Sequence, residues 1–518
     1  MSVAAGTAFW FAQHESRLAW RDWLSMITAG RRERLRKVGI GIVAFVIFMH
    51  FVAYWMVGRY ANAAIDKQTL VTITGTVLLS WMLMISQAME SITRAFYARS
   101  DLDLILASPA DSNKLFGVRV VTIALATTMM ALPLAAPFIN VLIALGGWRW
   151  LGAYGLIAAM GAAATAFAVA LTVSLFRVLG AKRTRFVAQV VAALIGAAFV
   201  IGLQVAAILS YGTISRVAVL QSSTLLALAP GMDSILWWPA RAALGEALPL
   251  FAVLATSFAL LAAAVALVAP RFGEYAVAAA GVSSSGAVHA RRNAFGGKTS
   301  PRGALRRKEW TLLRRDPWLM SQTLMQMLYL VPPALMLWRG VDQGNGALQL
   351  VVPVLVMAAG QLAGGLAWLA ISGEDAPDLV ATAPIPPRSI LRAKIEAVLG
   401  AVAIIFAPLL GALALASPWH ALDAGCGIAI AASAATAVQF WFRSQAKRSQ
   451  FRRRQVSSRL ATFAEALSSI GWAATAAVAS ASLWLALAPG VMALAVLGSA
   501  YMLSPRVRAM PGDMPRLI

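Results

Sequence analysis

The sequence predicts an all-α polytopic membrane protein, with about 12 transmembrane helices arranged as a 6+6 tandem repeat and flanked by interfacial amphipathic helices. Three observations predict it. The 518 residues are 60% hydrophobic and only 13% charged, whereas soluble domains carry about 25% charged residues. Apolar stretches of about 20 residues, enough to cross the hydrocarbon core as helix, recur along the whole chain. A short acidic-apolar-proline pattern, D-L-(x)4-P, occurs at 103–109 and again at 378–384, with identical internal spacing.

Taken in order, the apolar stretches are 38–57, 69–89, 120–145, 150–176, 187–211, 249–268, 321–338, 350–372, 395–416, 424–442, 464–484 and 490–503, the last being short. Helices are the expected spans, because backbone amides in lipid need partners within their own segment and the alternation of a β-barrel is absent. Six basic residues (Arg59, Lys67, Arg149, Arg216, Arg241, Arg339) fall on one side of this arrangement and the rest of the 44 Lys and Arg on the other. That asymmetry places both termini in the cytoplasm, in the inner (plasma) membrane. It also accounts for the net charge of +23. The runs RRERLRK (31–37), RRK (306–308) and FRRRQ (451–455) read as topology signals and contacts to anionic lipid. No aromatic interleaving or recognisable module points to nucleic acid. The N-terminal 37 residues have no continuous apolar core and do not read as a signal peptide. The single cysteine, Cys426, excludes an intrachain disulfide and a Cys-based metal site.

The duplication divides the chain into a first unit at 1–270, a linker at 271–305 rich in Gly, Ser and Arg, and a second unit at 306–518. Arg21-Asp22-Trp23 precedes the first span and Lys308-Glu309-Trp310 the seventh, each on an amphipathic segment suited to the interface plane. The D-L-(x)4-P pattern follows, with Arg119 and Lys394 at the same offset after it. LALAPG then occurs at 226–231 and 485–490. The order is shared, and the offsets (287, 275, 259) require insertions between the halves. Parallel six-span repeats are a recurrent transporter plan. The stretch 212–248, with Pro230, Trp237, Trp238 and Pro239, reads as an interfacial anchor or a short re-entrant hairpin.

Chemistry is sparse. His14, His50, His289 and His420 are scattered without metal-ligand spacing. FGGKTS at 295–300 lacks the first glycine of a phosphate loop, since position 292 is Arg. Glu90, Glu396 and Glu465 fall at the ends of their spans, where pairing with Arg or Lys is expected, and His50 is expected to be hydrogen-bonded and neutral. Catalytic, metal and cofactor residues are therefore none. Few charges within the spans favour an amphipathic or lipid-like cargo over an ion.

Interfacial helix, two spans, a D-L-(x)4-P segment, then four spans with an outer hairpin before the last: this order resembles the permease subunits of type-2 ABC exporters, with two permease units fused. ASPADSNKLFGVR and ATAPIPPRSILRAK carry the likeness most strongly. The resemblance implies that 101–114 and 375–389 include coupling helices. Asp101, Asp103, Leu104 and Pro109, and Asp375, Asp378, Leu379 and Pro384, would enter clefts on separate ABC ATPase subunits, two copies on the cytoplasmic side, which bind the ATP. An apolar anchor with an acidic rim suits such docking. Ordinary connecting loops, with Pro marking turns and Asp capping helices, are the alternative at these positions. For the whole chain the rival readings are an ion-gradient-driven secondary transporter and a lipid-modifying membrane enzyme.

Overall fold

The computed structural model describes residues 7–28, 35–62, 64–97, 112–211, 222–275, 300–315, 346–372, 384–442, 459–479 and 482–504, with a few single positions between them. Among these no strand occurs. The chain divides into two compact units, Met1–Ala207 with Ser215–Val288, and Ile208–Ile214 with His289–Ile518.

The first unit contains α1 (Ala8–Thr28), α2 (Leu35–Val57), α3 (Lys67–Tyr97), α4 (Ser112–Gly146), α5 (Gly152–Tyr211, as far as Ala207), the short α6 (Ser223–Leu228) and α7 (Trp238–Ala243), and α8 (Ala247–Val268). The second contains α9 (Pro301–Arg315), α10 (Gly346–Ser372), α11 (Pro387–Ala416), α12 (Pro418–Phe442), α13 (Arg459–Ala479) and α14 (Leu483–Leu503). Nine helices among the described residues are long and apolar enough to cross a membrane. This is the architecture of a polytopic helical membrane protein. Of the remaining stretches read from the sequence, 38–57 lies in α2, 321–338 falls largely outside the described residues, and 464–484 corresponds to α13, which is not among the nine.

Small residues let these helices approach closely, since lipid supplies no hydrophobic drive between them. Trp148–Ala181 is the most buried span of the first unit, and its Ala159, Ala162, Ala164 and Ala168 are nearly inaccessible. α5 turns at Gly180, whose φ of 71° lies in the left-handed region that only glycine adopts freely. Gly245, with φ 86°, turns α7 into α8 against the Arg149 carbonyl, where a Cβ would overlap it. In the second unit α10 is central, packed on α12 and α13. There Gly360 faces Ser469 and Gly364 faces Glu465, a small-residue seam with one helical turn between contacts.

Prolines inside α4 (Pro133, Pro137), α10 (Pro353), α11 (Pro408) and α14 (Pro489) are compatible with membrane helices, where neighbours and local adjustments satisfy the freed carbonyls. The two LALAPG copies fold differently, which removes that match as a structural repeat. The first closes α6 and runs into a turn, because polar Asp233 and Ser234 follow it. The second lies inside α14, because VMALAVLG continues the apolar run. α14 accordingly begins at Leu483 rather than near 490.

Each unit has a basic end, with Lys114, Arg183 and Arg271 in the first and Arg388 in the second, and an aromatic end. Exposed Trp55 (73%) and Trp148 (79%) mark the aromatic end of the first unit, and Trp419 (79%) and Trp484 (83%) that of the second. Such rings settle at the head-group level. The segment read as a hairpin folds as α6, a 3-10 turn at Ile235–Trp237 and α7. Trp237 is buried against Leu70, Val71 and Trp150, and its Nε1 donates to the Gly231 carbonyl at 2.9 Å.

α3 starts on a side-chain cap: the Thr69 amide donates to Asp66 Oδ1 at 2.7 Å. This bond holds the Asp66 carboxyl below the usual carboxylate range. Because its folded pKa is depressed, its stabilisation is complete above the unfolded value of about 3.9 and disappears as pH falls through the folded value. Asp66→Ala is expected to cost about 1 kcal/mol at neutral pH. Unfolding midpoints of native and variant protein should converge as the pH is lowered through the folded value.

Candidate functional site

Most of the repeated segment falls outside the described residues: Asp101, Asp103, Leu104, Pro109, Asp375, Asp378 and Leu379 all do. Pro384 is described and sits exposed in a bend just before α11. The structure does describe the frame from which each segment leaves and to which it returns.

In the first unit the frame is aromatic and ionic. Phe96, one residue before the end of α3, and Phe116, in the first turns of α4, are both buried with ring centroids 6.2 Å apart. Phe272 closes over them, at 5.4 Å from Phe96 and 4.8 Å from Phe116. Tyr97 stacks on Phe176 at 5.5 Å and donates its hydroxyl proton to the Ala181 carbonyl. These rings fix both feet of the 98–111 segment. Beside them Glu15 of α1 pairs with Arg119 of α4, Nε to Oε1 at 3.4 Å, with both residues buried.

In the second unit the same place is held by Glu309 of α9 and Lys394 of α11, at 3.2 Å and both buried. Lys394 also donates to the Ala370 carbonyl in the last turn of α10. One ammonium thus ties together the helix before the 373–379 segment, the helix after it and the amphipathic helix. Last-turn carbonyls have no intrahelical partner, so a cation there satisfies an orphan acceptor and meets the negative end of the helix dipole. Lys308 adds a second cation 3.3 Å from Glu309.

Arg119 and Lys394, at one offset behind the repeated pattern, therefore share one partner type: a buried glutamate on the amphipathic helix. The sequence alignment of Asp22 with Glu309 is corrected by this geometry. Glu15 is the counterpart of Glu309, at an offset of 294 rather than 287. The legible signal is E-x2-L-x2-R-D, at 15–22 and at 309–316. Trp23 and Trp310 align Arg21-Asp22-Trp23 with Lys308-Glu309-Trp310 and so hide Glu15.

The remaining carboxylates separate by environment. Glu396 pairs with Arg306 and with Arg392, at 3.1 Å for the latter, in the expected interfacial manner; such open pairs contribute little. Glu465 lies deeper than an interfacial carboxylate would. It is buried at 4%, one face against Gly364, and its carboxylate accepts from Gln439 Nε2 of α12. His50 is hydrogen-bonded as expected, Nδ1 to the Val46 carbonyl at 2.7 Å. Among the described residues no group of three or more His, Cys, Asp or Glu is arranged to hold a metal ion.

No protein-family model, curated protein or solved structure matches this chain. The functional reading therefore stands on the residues and the geometry.

Proposed function

We propose that the chain is the transmembrane permease subunit of an ATP-binding-cassette exporter, resembling the type-2 group, with two permease units in one chain. It carries no ATPase of its own. Separate ABC ATPase subunits bind ATP and dock on the basic, cytoplasmic end, where both termini lie, and the cargo is an amphipathic or lipid-like molecule.

The observation that carries the reading is the recurrence of one ionic clasp behind the repeated D-L-(x)4-P segment. Glu15–Arg119 and Glu309–Lys394 each lock an amphipathic helix to the helix that receives the segment. Burying charge is costly unless it is paired, and the cost recurs where a partner would push on the membrane helices. A loop that only connected two spans would require no such brace. A short segment on a stiff frame transmits force in both directions.

The test is co-purification. The tagged chain, extracted from its native membrane, is expected to bring down a nucleotide-binding subunit with ATPase activity, and the double variant Asp103→Lys plus Asp378→Lys is expected to lose it. Recovery of the native chain alone would overturn the proposal and favour an ion-gradient-driven secondary transporter. For that second reading Glu465, a carboxylate buried inside the helix bundle, is the residue to substitute, and Glu465→Gln would abolish gradient-driven transport.

A further inference from the structure

At the aromatic end of the first unit, three polar side chains from three apolar helices form a single hydrogen-bonded chain. Tyr154 Oη of α5 donates to Asn140 Oδ1 of α4 at 2.6 Å. Asn140 Nδ2 donates to His50 Nε2 of α2 at 3.2 Å. His50 Nδ1 donates to the Val46 carbonyl at 2.7 Å. The carbonyl can only accept, so Nδ1 carries a proton, and with Asn140 Nδ2 donating, Nε2 is the acceptor.

The trio lies below the head-group level. His50 is seven residues before the end of α2 and Asn140 six before the end of α4, which is about 10 Å and about 9 Å along each helix. Exposed Trp55 and Trp148 mark the interface above them. Yet Asn140 is exposed, and His50 and Tyr154 are half-buried. One Asn140 N–H, one Asn140 Oδ1 lone pair and a Tyr154 Oη lone pair remain after the bonds above. At this depth there is no bulk water to fill them.

We propose that this trio binds the uncharged hydroxyl head group of an amphipathic molecule lying in the membrane. A hydroxyl accepts from Asn140 and donates to Asn140 Oδ1 or Tyr154 Oη through one oxygen, matching the capacity left over. A phosphate head group only accepts, and would meet those same oxygen lone pairs. It would also need a cation, and neither helix supplies one at this depth: α2 has no Lys or Arg after Lys37 and α4 none after Arg119. At the rim above, Arg149 is turned to the Ala61 carbonyl. The tail is accommodated by Ile47 and Tyr54, exposed residues three and four positions from His50 and hence on its side of the helix. No ATPase subunit enters this argument, so it stands or falls apart from the function proposed above.

The experiment reconstitutes the full chain in phosphatidylcholine nanodiscs with a diazirine-bearing diacylglycerol, or with the phosphatidic acid of the same acyl chains. After irradiation the crosslinked peptides are mapped. Diacylglycerol is expected to label 47–58, 134–146 or 152–158 well above phosphatidic acid. Tyr154→Phe, which removes only an oxygen, and Asn140→Leu are each expected to lower this labelling about fivefold, the factor for one hydrogen bond of about 1 kcal/mol. Equal labelling by the two lipids would mean an ordinary lipid contact and overturn the proposal. So would labelling by diacylglycerol that Tyr154→Phe leaves unchanged. Tryptophan-monitored unfolding identifies a variant that has lost its fold, and Tyr154→Phe keeps the test decisive if Asn140→Leu does so.

Discussion

Replacing Lys394 by methionine is expected to destabilise the second unit by about 3–5 kcal/mol, because it leaves the Glu309 carboxylate buried without its closest inter-helix cation. Methionine keeps most of the aliphatic length, so the loss reads the charge and not a cavity. The Ala370 carbonyl is orphaned by the same substitution, which adds the desolvation cost of one acceptor, about 1–3 kcal/mol at most. Lys308 offers partial compensation, since it already lies within 3.3 Å of the same carboxylate, but it is half-exposed and reaches from the same helix. The double variant Glu309→Leu plus Lys394→Met should recover much of the loss, because an apolar pair of similar volume avoids burying charge altogether. Guanidinium unfolding followed by tryptophan fluorescence in detergent measures all three. If single and double variants unfold together, the ion pair is not what holds α9 to α11. Arg119→Met and Glu15→Leu repeat the test in the first unit, where the pair is equally buried.

That clasp shows what the sequence makes legible and what it hides. Helical spans are written in the composition, since twenty apolar residues in lipid have one way to satisfy their backbone. Arg119 and Lys394 stand out through their shared offset alone, before any partner is known. Their pairing with Glu15 and Glu309 does not, because an ion pair 85 or 104 residues apart in sequence leaves no periodic trace. LALAPG misleads for the opposite reason. Six identical residues adopt a helix end in one place and a helix interior in the other, according to whether polar or apolar residues follow. Glu465 is similar: its place near a span end predicts an interfacial carboxylate, while Gly364 opposite it on α10 leaves the room in which it is buried. The trio on α2, α4 and α5 was visible only as His50, because Asn140 and Tyr154 are unremarkable until the helices bring them together.

The seam between α10 and α13 yields the second large effect. Gly364→Ala is expected to cost at least about 1–3 kcal/mol, the penalty of overpacking a tight contact. An added methyl would overlap the Glu465 carboxylate. That side chain cannot swing aside freely, because Gln439 of α12 holds it and it is 4% exposed. Moving it would break a buried charge-assisted bond, and leaving it would force α10 away from α13. Gly411→Ala is the contrast: nothing lies within 4 Å of an added Cβ there, so the change should be neutral or gain up to about 1 kcal/mol of helix propensity. If Glu465 is the obstacle, Glu465→Ala should relieve the clash, and the two substitutions together should cost less than the sum of their separate effects. Strict additivity would instead mean that Gly364 is required for the backbone alone. The distinction bears on how the second unit is built, because α10 runs from this seam to the Ala370 carbonyl that Lys394 holds. A shift of α10 at Gly364 would be felt about two turns later at Ala370, where Lys394 holds the last turn of the helix.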